Sequence, residues 1–236
     1  MPVHTVYEFR NYTMQPGQRD VLIDLFEREF IESQEMLGTR VVGAFRNLDD
    51  PDRFVWIRSF ENTTARAGAL DSFYGGPVWQ AHRSAANATI VDSDNVLQLR
   101  PLTGDATCGA TSRPGIGAAT PTSLILAETY FLAERQGEAF ARTFADESLP
   151  LLRDVDRAPF ATFTTEHAPN SYPRLPVREN ETVFVTLTRF ESAETHLAQS
   201  ERAIAALNDI AGVLRPHLVA PTEAMRLQPT ARSLLR

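Results

Sequence analysis

Hydrophobic and polar residues alternate along several short segments of the chain, and each alternation predicts a strand with one buried face. In the N-terminal half the pattern covers residues 5–13, 40–48, 53–60 and 95–100. After Pro16 and Gly17, apolar residues recur at helical spacing, and Asn62 is a suitable N-cap for a second helix. The order strand, helix, strand, strand, helix, strand is that of a ferredoxin-like unit, with helices on one face of an antiparallel sheet.

The C-terminal half shows the same apolar pattern at nearly constant offsets. Phe54 and Phe60 correspond to Phe184 and Phe190 at an offset of 130, whereas the first helix corresponds at 118 and the last strand at 128. We therefore expect an α+β fold of two tandem ferredoxin-like βαββαβ repeats, residues 1–102 and 123–236. Stacked sheet on sheet, they would form a pseudo-dimer of the dimeric α/β-barrel type.

Residues 103–122 are rich in Gly, Ala, Thr, Ser and Pro and have no apolar period, which indicates an exposed linker. The single cysteine, Cys108, lies in this segment, so we expect no catalytic role for it. One cysteine allows neither an intramolecular disulfide nor a thiolate zinc cluster, and it suits a reducing compartment.

Charge and composition exclude several functions. The net charge is −7 and no basic block is present, so we expect no nucleic-acid binding. All 23 basic residues are arginine, which excludes a Schiff-base or phosphate-loop lysine. We see no signal peptide and no apolar run of about 18 residues, so we expect a cytoplasmic chain without a membrane span. We also expect neither a metal nor a cofactor.

The segment FYGGPVWQAHRSAAN, residues 73–87, contains aromatic, histidine and arginine side chains on a predicted helix, where leucine and alanine would give the same helix stability. A helical wheel places His82 near the middle of its apolar face, beside Val78 and Ala85, so we expect its ring to be buried and to point at the sheet. Three readings stay open for His82: a satisfied core histidine, a general acid or base, and a heme or metal ligand. The third lacks a second ligand at a suitable spacing.

Two strands supply polar neighbours for this helix. Glu8 and Arg10 share one face of the first strand, and Trp56 and Arg58 share one face of the third. If these faces meet the helices, the charges are buried near His82 and must be paired. They would then form either an ion-pair network or an anion-binding arginine pair.

Further residues are candidates for substrate binding, and each also has a structural reading. Asp92 and Asp94 suit caps or Asx-turns, and Tyr74 and Trp79 would wall a cavity mouth or fill the core. The candidate set comprises Tyr74, Trp79, Trp56, Arg83, Asn87, Asp92 and Asp94. In the second half His82 corresponds to Ile210 and Arg10 to Glu128. We therefore expect the first half to carry the site and the second to be its packing partner.

The first half resembles the NIPSNAP family of the dimeric α/β-barrel superfamily. The resemblance rests on YEFRNYTMQPGQRD (7–20), LDDPDRFVWIRSF (48–60) and FYGGPVWQAHRSAANATIVDSDNVLQLRP (73–101), and the second half matches in pattern only. It implies a bacterial protein with the ferredoxin-like barrel fold and association into a homodimer. It implies little chemistry, because bacterial members are mostly uncharacterised and the animal members are mitochondrial scaffold or signalling proteins. Related barrel families include heme enzymes, small-molecule monooxygenases and cofactor-independent isomerases or cyclases, which is an analogy of fold.

Two functions are consistent with these observations. The first is a cofactor-independent enzyme of the isomerase, cyclase, lyase or oxygenase type, acting on a small hydrophobic or anionic organic molecule. In it His82 would be the acid or base, and Arg10 and Arg58, paired with Glu8, would steady the substrate. The second is a non-catalytic small-molecule-binding or protein-assembly module. A cavity of roughly 300 Å³ or more beside His82 would favour the enzyme.

Overall fold

The computed structural model describes residues 3–102 and 112–236. The strands are β1 Val6–Met14, β2 Arg40–Asn47, β3 Arg53–Phe60, β4 Ile90–Asp92, β5 Val96–Pro101, β6 Leu124–Leu132, β7 Ala161–Thr165, β8 Thr182–Phe190 and β9 Glu223–Pro229. The helices are α1 Arg19–Leu25, α2 Ile31–Glu35, α3 Thr63–Gly75, α4 Pro77–Ala88, α5 Gly137–Thr143, α6 Leu149–Asp154, α7 Ala193–Arg202 and α8 Ile204–Leu214. Single π-helical turns, Phe26–Phe30 and Phe144–Ser148, join α1 to α2 and α5 to α6, and Arg215–His217 form a 3₁₀ turn.

Eight strands close into a barrel within the one chain. The order is β3-β2-β9-β6-β8-β7-β5-β1, and β1 pairs with β3 to complete the circle, while β4 extends β1 at one end. The mixed α/β fold with an intramolecular barrel is thus as expected. The expected stacking of two sheets is not observed, because the halves join edge to edge through β2–β9 and β5–β7. This pairing satisfies backbone groups that each half-sheet would otherwise leave exposed.

Strand registers in the two halves correspond. Glu8 pairs with Arg58 between β1 and β3, and the pairing of β6 with β8 has the matching register. The junctions match as well, since Pro101 lies opposite Phe163 and Pro229 lies opposite Phe45. Adding the offsets read from the sequence to a strand pair of the first half therefore gives a strand pair of the second half.

Alternation along the strands separates two hydrophobic environments. Tyr7, Phe9, Val55 and Ile57 point into the barrel and form its core with residues from the second half. The alternate residues of β1 and β3 lie on the outer face, beneath α1 to α4. Glu8, Arg10 and Arg58 belong to this outer face, so the helices bury them completely.

Part of the segment expected to be an exposed linker is packed against the barrel. Arg113 is almost buried and donates hydrogen bonds to the Glu35 carboxylate and to the Val41 and Arg232 carbonyls. These bonds fix the chain just before β6, so the prediction of an exposed linker is wrong at Arg113. Cys108 lies outside the described residues.

Candidate functional site

A single carboxylate gathers three buried guanidinium groups between the sheet and the helices of the first half. Glu8 Oε2 accepts hydrogen bonds from Arg10 Nη1 at 2.6 Å and Arg58 Nε at 2.7 Å, and Oε1 accepts one from Arg66 Nε at 2.6 Å. All four side chains are at most 1% exposed. Three positive charges face one negative charge, so the cluster holds two positive charges in excess.

Burial and ion pairing act in opposite directions on the pKa of Glu8. Burial would raise it, but Arg58, Arg10 and Arg66 together lower it far below its ordinary range. Burial likewise disfavours the charged form of Arg10, yet Tyr12 and Glu8 outweigh it and raise the pKa of this guanidinium. Glu8 and Arg10 are therefore held in their charged forms, whereas burial lowers the pKa of the Arg66 guanidinium.

Hydrogen bonds connect this cluster to polar residues nearer the helices. Arg10 Nε donates to the Tyr12 hydroxyl at 3.0 Å, and Arg58 Nη1 donates to Gln34 Oε1 at 3.1 Å. Both guanidinium carbons also lie over the Trp56 ring, at 5.4 and 5.0 Å from its centroid. The arginines thus touch three residues whose other sides face a cavity.

This cavity has a volume of about 110 Å³ and lies between the sheet and helices α1 to α4. Its wall is mostly aromatic, and polar groups are supplied by Tyr12, Gln34, Tyr74, Asn87 and Ser93. We define it as the first cavity, with the lining residues Tyr12, Leu22, Phe26, Phe30, Gln34, Phe54, Trp56, Phe73, Tyr74, Trp79, Ala86, Asn87, Ile90, Ser93 and Leu175.

Several buried donors around the first cavity have no hydrogen-bond partner among the described residues. They are the Trp56 indole Nε1 and the Nη2 atoms of Arg58 and Arg66. Buried donors are rarely left without an acceptor. Because these groups surround one cluster with excess positive charge, the site favours a ligand that brings hydrogen-bond acceptors or negative charge.

A loop of the second half completes the first cavity. Leu175 lies in its wall, and Tyr172 stacks on Tyr74 with ring centroids 6.2 Å apart. Arg66 Nη1 donates to Asn170 Oδ1 and Ser171 Oγ in the same loop. The residues that lengthen the second half therefore cover the site of the first half.

His82 does not occupy the expected position. It is about one third exposed, its Nε2 lies 3.6 Å from Glu29 Oε2, and its ring contacts Phe30 edge-on. It does not line the first cavity. The prediction that His82 lies buried against the sheet is wrong because α4 turns Ala86 and Trp79 toward the core, which leaves His82 at the flank of the helix.

The other predicted residues divide into two groups. Tyr74, Trp79, Trp56 and Asn87 line the first cavity. Arg83, Asp92 and Asp94 are exposed and do not line it. Asp92 Oδ1 instead accepts a hydrogen bond from the Asp94 backbone N–H at 2.9 Å, which is the turn that the sequence also allowed.

Two residues at the site, Arg66 and Gln34, were not predicted from the sequence. Arg66 belongs to α3 and is fully buried, although Ala65 and Ala67 beside it are partly exposed. An arginine one turn after the Asn62 cap has no special pattern, so only its contact with Glu8 identifies it. Gln34 is equally hidden in a helical run of polar residues.

The second half contains a larger cavity at the corresponding place. It has a volume of about 560 Å³ and lies between β6 and α8, with Glu128, Tyr130, Leu207 and Arg215 among its lining residues. From the sequence, the second half was expected only to pack against the first, and a cavity in it was not predicted. We call it the second cavity.

Within the described ranges, no three His, Cys, Asp or Glu side chains cluster so that they could hold a metal ion. No helix in the same ranges is long and apolar enough to cross a membrane.

Comparisons with known structures identify the same fold in distant proteins. A "putative monooxygenase" from Fusobacterium nucleatum is 8% identical, with a TM-score of 0.60 over 98% of this chain and 94% of that one. A protein described as anthrone oxidase-like is 10% identical, with a TM-score of 0.60 over 99% and 94%. A "putative monooxygenase" from Lactobacillus acidophilus is 12% identical, with a TM-score of 0.55 over 96% and 94%. At these identities the likeness establishes the fold alone.

Family comparison agrees with the resemblance read from the sequence. No curated protein sequence matches the chain. The family model for NIPSNAP matches residues 7–103, which include β1 to β5 and α1 to α4. Residues 7–103 of this chain therefore match the NIPSNAP family, as their motifs predicted.

Proposed function

We propose that the first cavity binds a small planar aromatic compound with an acidic hydroxyl or enol group, and holds it as its anion. Stabilising such an anion is the first requirement of a cofactor-independent isomerase, cyclase, lyase or oxygenase, and we assign the chain to this class. The observation that carries the proposal is the contact of the cavity wall with the buried arginine cluster. Tyr12, Trp56 and Gln34 each touch Arg10 or Arg58 on one side and the cavity on the other.

Excess positive charge favours the anionic form of a bound ligand. Electrostatic interactions are stronger in a site that excludes water, and prearranged donors need no reorganisation when charge develops. Glu8 neutralises only one of the three positive charges of its arginine partners. The remaining positive charge of Arg10 and Arg58 would therefore attract a ligand anion on the far side of the Tyr12 and Trp56 rings.

Two donors in the wall suit one ligand oxygen. The Tyr12 oxygen accepts its hydrogen bond from Arg10, so the phenolic proton is available to an acceptor in the cavity. Trp56 Nε1–H is buried without a partner in the described part of the chain. A ligand oxyanion would accept from both groups.

The size and wall of the cavity indicate a single aromatic ring. An apolar cavity of roughly 150 Å³ is known to admit benzene, and the first cavity is of comparable size. Aromatic rings prefer the tilted and edge-to-face contacts that Phe26, Phe54 and Trp79 can offer to a planar guest.

The descriptions of the distant structural neighbours agree with an enzyme of the oxygenase type, although the likeness itself concerns the fold. Two are described as monooxygenases and one as anthrone oxidase-like. The alternative is a non-catalytic small-molecule-binding or assembly module. It is favoured by the cavity volume, which is below the roughly 300 Å³ expected for the enzyme, and by the position of His82 outside the cavity.

A titration with 4-nitrophenol tests the proposed binding, because its phenolate absorbs visible light. We expect the bound compound to ionise at lower pH than the free one. The variant Tyr12→Phe should weaken phenolate binding at least ~10-fold, since a hydrogen bond to a charged group contributes about 1.5–3 kcal/mol. Tyr130→Phe is the matched control, because Tyr130 corresponds to Tyr12 in the second half.

That control should bind 4-nitrophenol as the wild type does. Two results would contradict the proposal. One is that bound 4-nitrophenol ionises at the same pH as the free compound or at a higher one, and the other is that both variants lose the same amount of affinity.

His82 with Glu29 stays the proposed acid–base pair of the enzyme. Its ring lies outside the first cavity, behind Phe30, so a water molecule or a movement of α4 would have to carry the proton to a bound compound. A panel of phenols and enolisable aromatic ketones is to be incubated with the protein and products identified by mass spectrometry. For a compound that is converted, His82→Gln should lower the rate about 100-fold or more while its binding is kept. His217→Gln, which changes an exposed histidine near Phe140 in the second half, should not.

A loss of about 1–3 kcal/mol of stability with the rate unchanged would instead make His82 a structural residue. Binding without any conversion would favour the non-catalytic module.

Origin and assembly are part of the same proposal. The matching registers and the two π-helical turns at corresponding positions support an internal duplication of one ferredoxin-like unit. Homodimer formation and a cytoplasmic location stay predictions.

A further inference from the structure

The geometry points to a second ligand site, in the second cavity, that takes an apolar small molecule carrying a protonated amine. This site is independent of the one proposed for the first half. Glu128 would pair with the ammonium group, and the aliphatic wall would hold the hydrocarbon part.

The first step of the argument is a charge reversal at one position of the fold. The strand registers place Glu128 where the first half has Arg10, and Tyr130 where it has Tyr12. Leu126 and Thr188 stand where Glu8 and Arg58 form their ion pair. The positive cluster of the first half is thus replaced by one carboxyl group beside a tyrosine.

No cation lies within ion-pair distance of Glu128 among the described residues. Its carboxyl group receives a long contact from Thr186 Oγ1 at 3.5 Å and interacts with the Tyr130 hydroxyl. Arg157 acts on it only from a distance, because its guanidinium donates to Ser200 Oγ and lies over the Phe190 ring. Glu128 is half-buried at the wall of the second cavity, and a carboxylate with so few partners favours a ligand that brings positive charge.

Proton positions in the two tyrosines are also reversed. Tyr12 accepts from Arg10, which leaves its proton for a ligand acceptor. Tyr130 uses its proton on Glu128, and burial together with that carboxylate raises the pKa of the phenol well above its ordinary value. The Tyr130 oxygen therefore offers lone pairs, and both groups at this end of the second cavity are acceptors for a ligand N–H.

Two tryptophans of the first half have smaller counterparts in the second half, and one of these counterparts, Leu207, lines the second cavity. Thr186 corresponds to Trp56, and Leu207 corresponds to Trp79 in the same alignment of the halves. The volume of about 560 Å³ lies within the usual range for small-molecule sites. Leu152, Leu207, Ile210, Leu214 and Leu218 give it a wall that suits an alkyl chain.

Arg215 also lines the second cavity, but it is exposed. Its charge is screened by solvent, whereas Glu128 is on the sheet at the cavity floor. An amine that enters with its charged end toward β6 meets the carboxylate and leaves its tail toward α8.

Calorimetric titration with n-octylamine at pH 7 tests the site, with octan-1-ol and octanoate as probes of the same length. We expect octylamine to bind at least ~10-fold more tightly than octanol, and octanoate to bind least. Glu128→Gln should weaken octylamine at least ~10-fold and leave octanol within twofold. Ala211→Trp, which fills the second cavity, should abolish binding of both.

The pH dependence gives a second readout. Burial raises the pKa of Glu128, so octylamine affinity should rise with pH as this carboxyl group ionises above the ordinary glutamate range. Circular dichroism of each variant checks that it is folded. Equal octylamine affinity in wild type and Glu128→Gln, or tighter binding of octanoate than of octylamine, would overturn the inference. The 4-nitrophenol result at the first cavity has no bearing on either outcome.

Discussion

Replacing Glu8 by glutamine is expected to lower the free energy of unfolding by about 3–5 kcal/mol, because removal of one partner leaves buried charges uncompensated. Arg10, Arg58 and Arg66 all lose their counterion in this variant, and each is at most 1% exposed. Glutamine has nearly the same shape as glutamate, so the change removes charge and hardly alters packing. Urea unfolding monitored by circular dichroism measures the difference.

Asp20→Asn is the matched control for this change. Asp20 pairs with Arg46 at 2.7 Å but is 59% exposed, and exposed pairs contribute at most about 1 kcal/mol. A Glu8→Gln variant that is destabilised no more than Asp20→Asn would show that the buried arginines do not depend on Glu8.

The same substitution has a definite pH dependence. The pKa of Glu8 is lowered in the folded state, so its contribution is complete above the unfolded value of about 4.3 and is lost as the pH falls toward the folded value. We therefore expect the stability difference between wild type and Glu8→Gln to be constant near neutral pH and to shrink below about pH 4. A difference that grows on acidification would contradict the ion-pair account.

Replacing Phe54 by alanine should cost about 3–5 kcal/mol of stability, which is usual for deletion of a buried phenyl ring. Phe54 is fully buried and contacts Tyr12 and Phe26 edge-on. Because its ring also lines the first cavity, the variant should gain cavity volume and accept two-ring phenols that the wild type excludes. Thermal unfolding and absorption titration with a nitronaphthol measure the two effects.

Phe184→Ala provides the control, because Phe184 is equally buried and corresponds to Phe54 in the second half. It contacts Phe140, Phe144 and Tyr130 and should cost a similar free energy without altering phenol binding. If both variants changed phenol selectivity alike, the effect would come from general loosening and not from the first cavity.

The strand and helix pattern was readable from the sequence because it depends on local spacing. Alternation on β1 and β3 separated the residues inside the barrel from those under the helices, and Asn62 caps α3 through the Ala65 N–H as expected. The NIPSNAP resemblance was readable for the same reason, since its motifs are continuous stretches of the first half.

The exposure of His82 was not predictable in this way. A helical wheel gives the direction of the apolar face of α4 only to about one residue position. Val78, His82 and Ala86 all lie on or near this face, so the wheel does not decide which of them points at the sheet. The packing of Trp79 against Phe30 and Phe73 decides which of them faces the sheet. It brings Ala86 inward and leaves His82 beside Glu29.

The sequence by itself determined the order of elements, the correspondence of the two halves and the side chains that share a strand face, because these follow from periods of two and 3.6 residues. Only the tertiary structure decided which charges meet. Arg66 joins Glu8 across 58 residues, and a loop of the second half covers the first cavity. The second cavity likewise depends on how β6 and α8 face one another. Such contacts join distant parts of the chain, and no local pattern records them.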